Sequence, residues 1–171
     1  GRHNALNAIA AVAVAAELGV EKDAIGRALG EFAGIDRRLQ VLGEIEANGG
    51  TVLMVDDYGH HPTEVRATLD AVRDGWPDRR LVVVFQPHRY TRTQGLFEEF
   101  ATAFYRADVL IMTDIYAAGE QAIEGVNSEL LLDAVKQHGQ KNAYYHADLS
   151  TLPHALVDFI LEGDLVLTLG A

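Results

Sequence analysis

Leu81-Val82-Val83-Val84-Phe85-Gln86-Pro87-His88-Arg89-Tyr90-Thr91-Arg92, residues 81–92, runs an unbroken apolar stretch into a dense polar loop. Five successive apolar residues without alternation mark a strand covered on both faces, as in a parallel sheet clothed by helices. The neighbouring segments repeat the pattern. On the amino side, Leu39 to Ile45 and Thr51 to Val55 are apolar stretches joined by Asn48-Gly49-Gly50, which supplies the positive-φ residues of a hairpin turn. Pro62 then opens a helix running to about Asp74. On the carboxyl side follow an amphipathic helix from Leu96 to Tyr105, a strand from Asp108 to Met112 and a helix from Ser128 to Lys136. A short strand at Ala143 to Tyr145, a helix from Leu152 to Leu161 and a last strand at Leu165 to Leu167 complete the series. Helices alternating with strands predict an α/β domain with a mostly parallel sheet, helices on both faces and right-handed crossovers. Such a sheet takes ligands beyond the carboxyl ends of its strands.

The amino-terminal part reads differently. Asn4 to Leu18 is Ala-rich, free of Pro and Gly and ended by Gly19, which predicts a buried helix, and Asp23 to Phe32 predicts a second. Two helices make no core by themselves, and the pattern changes after Gly34, so the boundary falls between Gly34 and Arg38 and divides the chain into residues 1–36 and 37–171. The 171 residues include 49% hydrophobic ones, with 14 Lys plus Arg against 25 Asp plus Glu. This is the balance of a soluble globular domain and a fraction. The net charge of -11 argues against a nucleic-acid partner, so any anion site is local. With no cysteine, disulfides and thiolate zinc sites are excluded. The longest apolar run, Ala8 to Ala16, is too short to span a bilayer, so no membrane partner is expected and a cytoplasmic location is the default. The first residue is Gly and the last follow directly on an apolar run, so the chain reads as a piece of something longer.

Three polar clusters follow strands: Asp56 to Pro62, Gln86 to Arg92 and Asp114 to Glu120. All three should converge on one edge of the sheet. From Arg79 to Phe97 there is no acid and there are four basic residues, a cationic island in an acidic chain. Arg89 and Arg92 with His88 suit a carboxylate or phosphate, because the guanidinium fork matches paired oxygens. The plainer alternative is pairing of these arginines with Asp114 or Glu98. His60 and His61 are adjacent, and consecutive extended side chains diverge, so one belongs near the anion site and the other packs or caps, without a shared metal. His138, His146 and His154 are isolated and read as structural. Asn4 and Asn7, three apart, share a helical face that can hydrogen-bond a base such as adenine; otherwise Asn4 caps the helix and Asn7 is satisfied in the core.

In order, Gly1-Arg2-His3-Asn4-Ala5-Leu6-Asn7, Asp36-Arg37-Arg38-Leu39-Gln40, Asp56-Asp57-Tyr58-Gly59-His60-His61-Pro62-Thr63-Glu64 and Phe85-Gln86-Pro87-His88-Arg89-Tyr90-Thr91-Arg92-Thr93 resemble motifs of the bacterial murein-peptide (Mur) ligases. The resemblance spans essentially the whole chain and is nearest to the alanine-adding branch. A murein-recycling tripeptide ligase of the family is also similar, with Phe-Ala in place of Tyr58-Gly59. The resemblance implies an N-terminal UDP-sugar domain, a central P-loop ATPase and a C-terminal Rossmann-like domain. Residues 1–36 then match the helical end of the central domain, and 37–171 the amino-acid-binding domain without its closing helices. The implied reaction, in peptidoglycan precursor synthesis, joins L-alanine to the carboxylate of UDP-N-acetylmuramate through an ATP-derived acyl phosphate. No Gly-x-x-x-x-Gly-Lys-Ser/Thr sequence occurs, so ATP and Mg²⁺ belong to the full-length enzyme, and the chain alone is expected to hold neither tightly and to be inactive. Carried over, Asn4, Asn7, Arg38 and Asp57 face ATP, and Tyr58, His60, His88, Arg89 and Arg92 surround the amino acid and acyl phosphate. No catalytic residue or metal ligand is carried over. A reading of another class is a non-catalytic Rossmann-like module that binds an acidic metabolite or a partner.

Overall fold

The computed structural model describes residues 2–32, 34–47 and 49–171, with side chains from residue 4 onward. Six strands form one sheet: β1 (Gln40–Ala47), β2 (Gly50–Asp57), β3 (Leu81–Phe85), β4 (Val109–Met112), β5 (Ala143–Tyr145) and β6 (Leu165–Leu169). Their order is β1-β2-β6-β3-β4-β5. β1 is antiparallel to β2 and all other pairings are parallel. The helices are α1 (Arg2–Glu17), α2 (Lys22–Glu31), α3 (Pro62–Gly75), α4 (Tyr90–Gly95), α5 (Phe97–Ala101), α6 (Ser128–Gln137) and α7 (Leu152–Leu156). The chain thus has the expected α/β architecture, opening hairpin included. Among the described residues no helix is long and apolar enough to cross a membrane.

The unbroken apolar strands are explained by two cores. Leu81, Val83 and Phe85 of β3 and Leu165, Leu167 and Leu169 of β6 point to the face carrying Val65, Leu69 and Val72 of α3, Phe100 of α5 and Leu131 and Val135 of α6. Val82, Val84 and Val166, one residue out of phase, point to the other face and meet Leu152, Leu156 and Ile160. The steps from β2 through β3 and β4 to β5 proceed toward one edge with their helices on the first face. The step from β5 to β6 turns back and carries α7 on the second face, as a single crossover hand demands.

Several expectations need correction. α1 is not buried: Leu6, Ile9, Val14 and Leu18 are 56–77% exposed, because among the described residues α2 is the element that packs on it. An apolar helix has the capacity for burial, but burial itself needs a facing surface. The helix expected from Leu96 to Tyr105 is only α5, and α4, expected as loop, precedes it with Leu96 (φ -122°, ψ 26°) breaking the run between them. The helix expected to Leu161 ends at Leu156, where turns lead to the Leu161 N–H donating to the Asp164 side chain (2.7 Å). In the hairpin, Gly49 has the expected positive φ of 77°, whereas Asn48 lies outside the described residues. Gly50 starts β2 and is needed for space, since a Cβ there would stand 2.6 Å from Cβ of Glu162.

Candidate functional site

β2, β3, β4 and β6 end at the same edge of the sheet, and the three polar clusters meet beyond it. The first is tied down by Asp57, which is 4% exposed. Its Oδ2 accepts from the Leu39 N–H (2.7 Å), and its Oδ1 accepts from the Gly59 N–H (2.8 Å) and the Thr68 hydroxyl (3.2 Å). Three of about four acceptor positions are thus taken within the protein. Asp57 therefore fixes the loop that follows it, and only its remaining acceptor position is open to a ligand such as ATP. Arg37 is pinned beside it, its Nε 3.0 Å from Asp56 Oδ2 and its Nη2 donating to the carbonyl of Gly170. Arg38 extends instead toward Glu64 (3.7 Å) and the Tyr58 ring (5.8 Å).

The paired histidines separate as expected. His61 caps α3: its Nδ1 accepts from the Thr63 N–H (3.2 Å), while Glu64 accepts from the backbone N–H groups of His60 and His61 (3.1 and 3.2 Å). Burial pushes the Glu64 carboxyl up, but those two amides, with His60 and Arg38 nearby, outweigh it and bring the pKa below its usual value. His60 turns its ring to Tyr58 (centroids 5.1 Å) and His88 (5.6 Å). Its Nδ1 lies 3.0 Å from the Tyr58 carbonyl, which only accepts, so Nδ1 carries a proton and the ring, when neutral, has its lone pair at Nε2.

His88 is arranged the opposite way. Arg92 Nη1, which only donates, lies 2.8 Å from His88 Nδ1 and 3.2 Å from its carbonyl. The His88 proton therefore sits on Nε2, a donor. Burial, then Arg92, His60 and Arg89, hold the His88 pKa below its usual value, with Glu120 opposing them. His88 stacks on Tyr116 (5.6 Å), and the two strand ends are stitched by Arg89 N–H to the Tyr116 carbonyl and Tyr116 N–H to the Pro87 carbonyl, both 2.8 Å.

The arginines pair with neither Asp114 nor Glu98. Asp114 accepts from the Tyr145 hydroxyl, which pushes Tyr145 up to about 12, and Glu98 lies 4.0 Å from His138. Arg89 instead lies 4.0 Å from Glu120, and among the described residues Arg92 has no carboxylate within ion-pair distance. His146 bonds Thr151 (2.9 Å), and His154 is exposed.

A cleft of about 880 Å³ opens between α1, α2 and α3, and its lining includes Asn4, Asn7, Arg38, Asp57, Thr63 and Glu64. Neither alternative for the asparagines holds: Asn4 lies inside α1 rather than capping it, and Asn7 is exposed rather than buried. Among the described residues neither amide has a hydrogen-bond partner. Arg38 and Glu64 join the two halves, lining the cleft while contacting Tyr58 and His60. The structure thus gathers Tyr58, His60, His88, Arg89 and Arg92 on one rim and Asn4, Asn7, Arg38 and Asp57 in one cleft. Sequence reasoning assigned no role to Glu64, Thr91, Tyr116 or Glu120. Glu64 was detectable, standing three residues after a capping position; Glu120 closes the third polar cluster, but 31 residues from Arg89 it has no local signal of its pairing with the 88–92 loop.

The family model described as "Mur ligase, glutamate ligase domain" matches residues 37–171. The chain belongs to the Mur ligases. It is 56% identical over 171 residues to UDP-N-acetylmuramate–L-alanine ligase of Trichlorobacter lovleyi, covering 100% of this chain and 37% of that protein. The Geotalea daltonii protein of the same name is 57% identical over the same length, with 36% of it covered. Among solved structures, UDP-N-acetylmuramate-alanine ligase of Thermotoga maritima superposes with a TM-score of 0.78 at 30% identity, over 100% of this chain and 35% of that one. A murein peptide ligase of Psychrobacter arcticus gives 0.69 at 25% identity, over 99% of this chain and 34% of that one. This Mur ligase chain therefore spans little more than a third of the length of the curated relatives it matches.

Proposed function

We propose that the chain is the C-terminal part of an ATP-dependent ligase that joins L-alanine to the carboxylate of UDP-N-acetylmuramate through an acyl phosphate, and that residues 1–36 are the end of its preceding ATPase domain. The observation that carries this reading is the meeting of an arginine and histidine rim with a cleft bearing two asparagines that have no partner among the described residues, in a chain more than half identical to proteins of that name. Asn4 and Asn7 offer donors and acceptors to adenine. Arg38, at the join, faces the phosphates. The guanidiniums of Arg89 and Arg92 hold the amino-acid carboxylate or acyl phosphate, and the Nε2 proton of His88 adds a neutral donor. The Nε2 lone pair of His60 is an acceptor for an ammonium. Among the described residues no three His, Asp or Glu side chains gather as metal ligands.

Substitution of Arg89 in the full-length enzyme tests the reading. Arg89→Lys should be nearly as damaging as Arg89→Ala, because an ammonium cannot grip paired oxygens as the fork does. Loss of a charged hydrogen bond predicts about 1.5 to 3 kcal/mol, or about ten- to a hundredfold in kcat/KM for L-alanine. Asn7→Ala should raise the KM for ATP alone, by the smaller worth of a neutral bond, about 0.5 to 1.5 kcal/mol. Near-normal efficiency of the Lys variant would remove the anion role from Arg89.

A further inference from the structure

We infer that Glu120 is a positioning residue for the amino-acid side of the site, holding the 88–92 loop so that the Arg89 guanidinium meets the ligand with its donors unspent. The inference rests on the proposed role of Arg89 and adds a residue that neither the motifs nor the cationic island contains.

The loop has a shape that Arg89 does not favour. Its φ is 71°, in the region where residues other than glycine are strained and persist only when their surroundings over-determine them. Those surroundings can be named. The Arg89 N–H donates to the Tyr116 carbonyl (2.8 Å), and the Arg89 carbonyl accepts from the Thr93 N–H (3.1 Å) and hydroxyl (2.9 Å). Two residues beyond Arg89, Thr91 donates twice to Glu120, from its N–H to Oε2 (3.0 Å) and from its hydroxyl to Oε1 (2.7 Å). Glu120 is itself presented by a tight turn in which Ala118 (φ 49°) and Gly119 (φ 85°) are both left-handed, and its N–H donates to the Ala117 carbonyl (3.0 Å).

The distance to Arg89 is informative. At 4.0 Å the carboxylate is close enough to orient the guanidinium yet beyond hydrogen-bond reach. Among the described residues the Arg89 side chain donates no hydrogen bond, so its five N–H groups remain for an anion. A carboxylate bonded directly to Arg89 would compete with the ligand, whereas one clamped by Thr91 steers without competing. The Thr91 hydroxyl, then its N–H, and the charge of Arg89 also lower the Glu120 pKa and keep it ionised.

The test is made in the full-length ligase. Glu120→Ala should raise the KM for L-alanine about ten- to a hundredfold, the scale on which small displacements of a binding group act, and should leave the KM for ATP within about twofold. Placed on Arg89→Ala, it should raise the L-alanine KM no further, because its effect passes through Arg89. Glu120→Gln, which keeps one acceptor for Thr91, should fall between Ala and the natural residue. An unchanged L-alanine KM in Glu120→Ala, with Arg89→Ala still impaired, overturns the inference and leaves the site reading standing. No effect of Arg89→Ala removes both. Equal rises in both KM values, or full additivity on Arg89→Ala, reduce Glu120 to general support of the fold and also overturn it. If Glu120→Ala does not accumulate folded, Glu120→Gln and Thr91→Val read the same KM ratio.

Discussion

His60 and His88 lie with ring centroids 5.6 Å apart and differ in which nitrogen holds the proton, because one faces a carbonyl and the other a guanidinium. With both rings neutral, the rim offers a lone pair beside an N–H donor. Protonation of His88 would turn Nδ1 into a donor facing the donor Nη1 of Arg92, which accounts for the direction of its shift along with burial. We predict an NMR titration midpoint for His88 below the ordinary 6.5, moving up in Arg92→Ala and further down in Glu120→Ala. An unmoved midpoint in Arg92→Ala would show that the two side chains are not coupled. Because the folded ring has the lower pKa, the unfolded chain takes the proton first. The contribution of His88 to stability is whole above about pH 6.5 and is lost as pH falls through the folded value.

At the scale of elements, the connection from β2 to α3 is the most constrained. Asp57 reaches back to Leu39, across to Gly59 and forward to Thr68, while His61 and Glu64 cap the helix reciprocally. A Cβ on Gly59 would stand 2.8 Å from Asp57 Oδ1, so the carboxylate would have to move and leave its partners. Gly59→Ala should therefore destabilise the chain by about 1 to 3 kcal/mol, the cost of buried polar groups left unsatisfied. Gly75, the last residue of α3, has nothing within 4 Å of its would-be Cβ, and Gly75→Ala should stabilise by about 0.4 to 1 kcal/mol. Urea midpoints of the two variants should move in opposite directions; a common direction would mean that space at Gly59 is not limiting. The Pro62 start of α3 and its capping residues are local and were readable beforehand. The splitting of residues 90–101 into two short helices at Leu96 (φ -122°, ψ 26°) was not.

Across the whole molecule, β6 is last in the chain yet lies between β2 and β3, and its entry is secured by Asp164, which is 2% exposed. Arg80 Nη1 meets Asp164 Oδ2 at 3.1 Å, and Arg80 Nη2 donates to the Phe159 carbonyl at 2.9 Å. Arg80→Ala would strand a buried charge and should cost about 3 kcal/mol, the low end for such pairs because the Arg80 side chain is itself 32% exposed. Arg106→Ala breaks a pair whose two side chains are 53% exposed and should cost about 1 kcal/mol or less. Thermal or urea unfolding of the two variants checks this, and equal losses would contradict the ranking by burial. The amino-acid order alone determined the strands, most helices, the hairpin and the polar loops at one edge, because apolar runs, capping residues and glycines act within a few residues of themselves. It also placed Asn4 and Asn7 on one face and separated His60 from His61, which follow from helical and extended repeats. Only the tertiary structure decided that β6 enters the middle of the sheet, that α1 lies exposed, that Arg89 answers to Glu120 rather than Asp114 or Glu98, and that Asp57 is bonded largely within the protein. Several of the partners involved are far apart in the chain, as Leu39 is 18 residues from Asp57 and Glu120 is 31 from Arg89. Contacts at that separation are set by how packed layers bring loops together, and the periodicity of either segment holds no trace of the other.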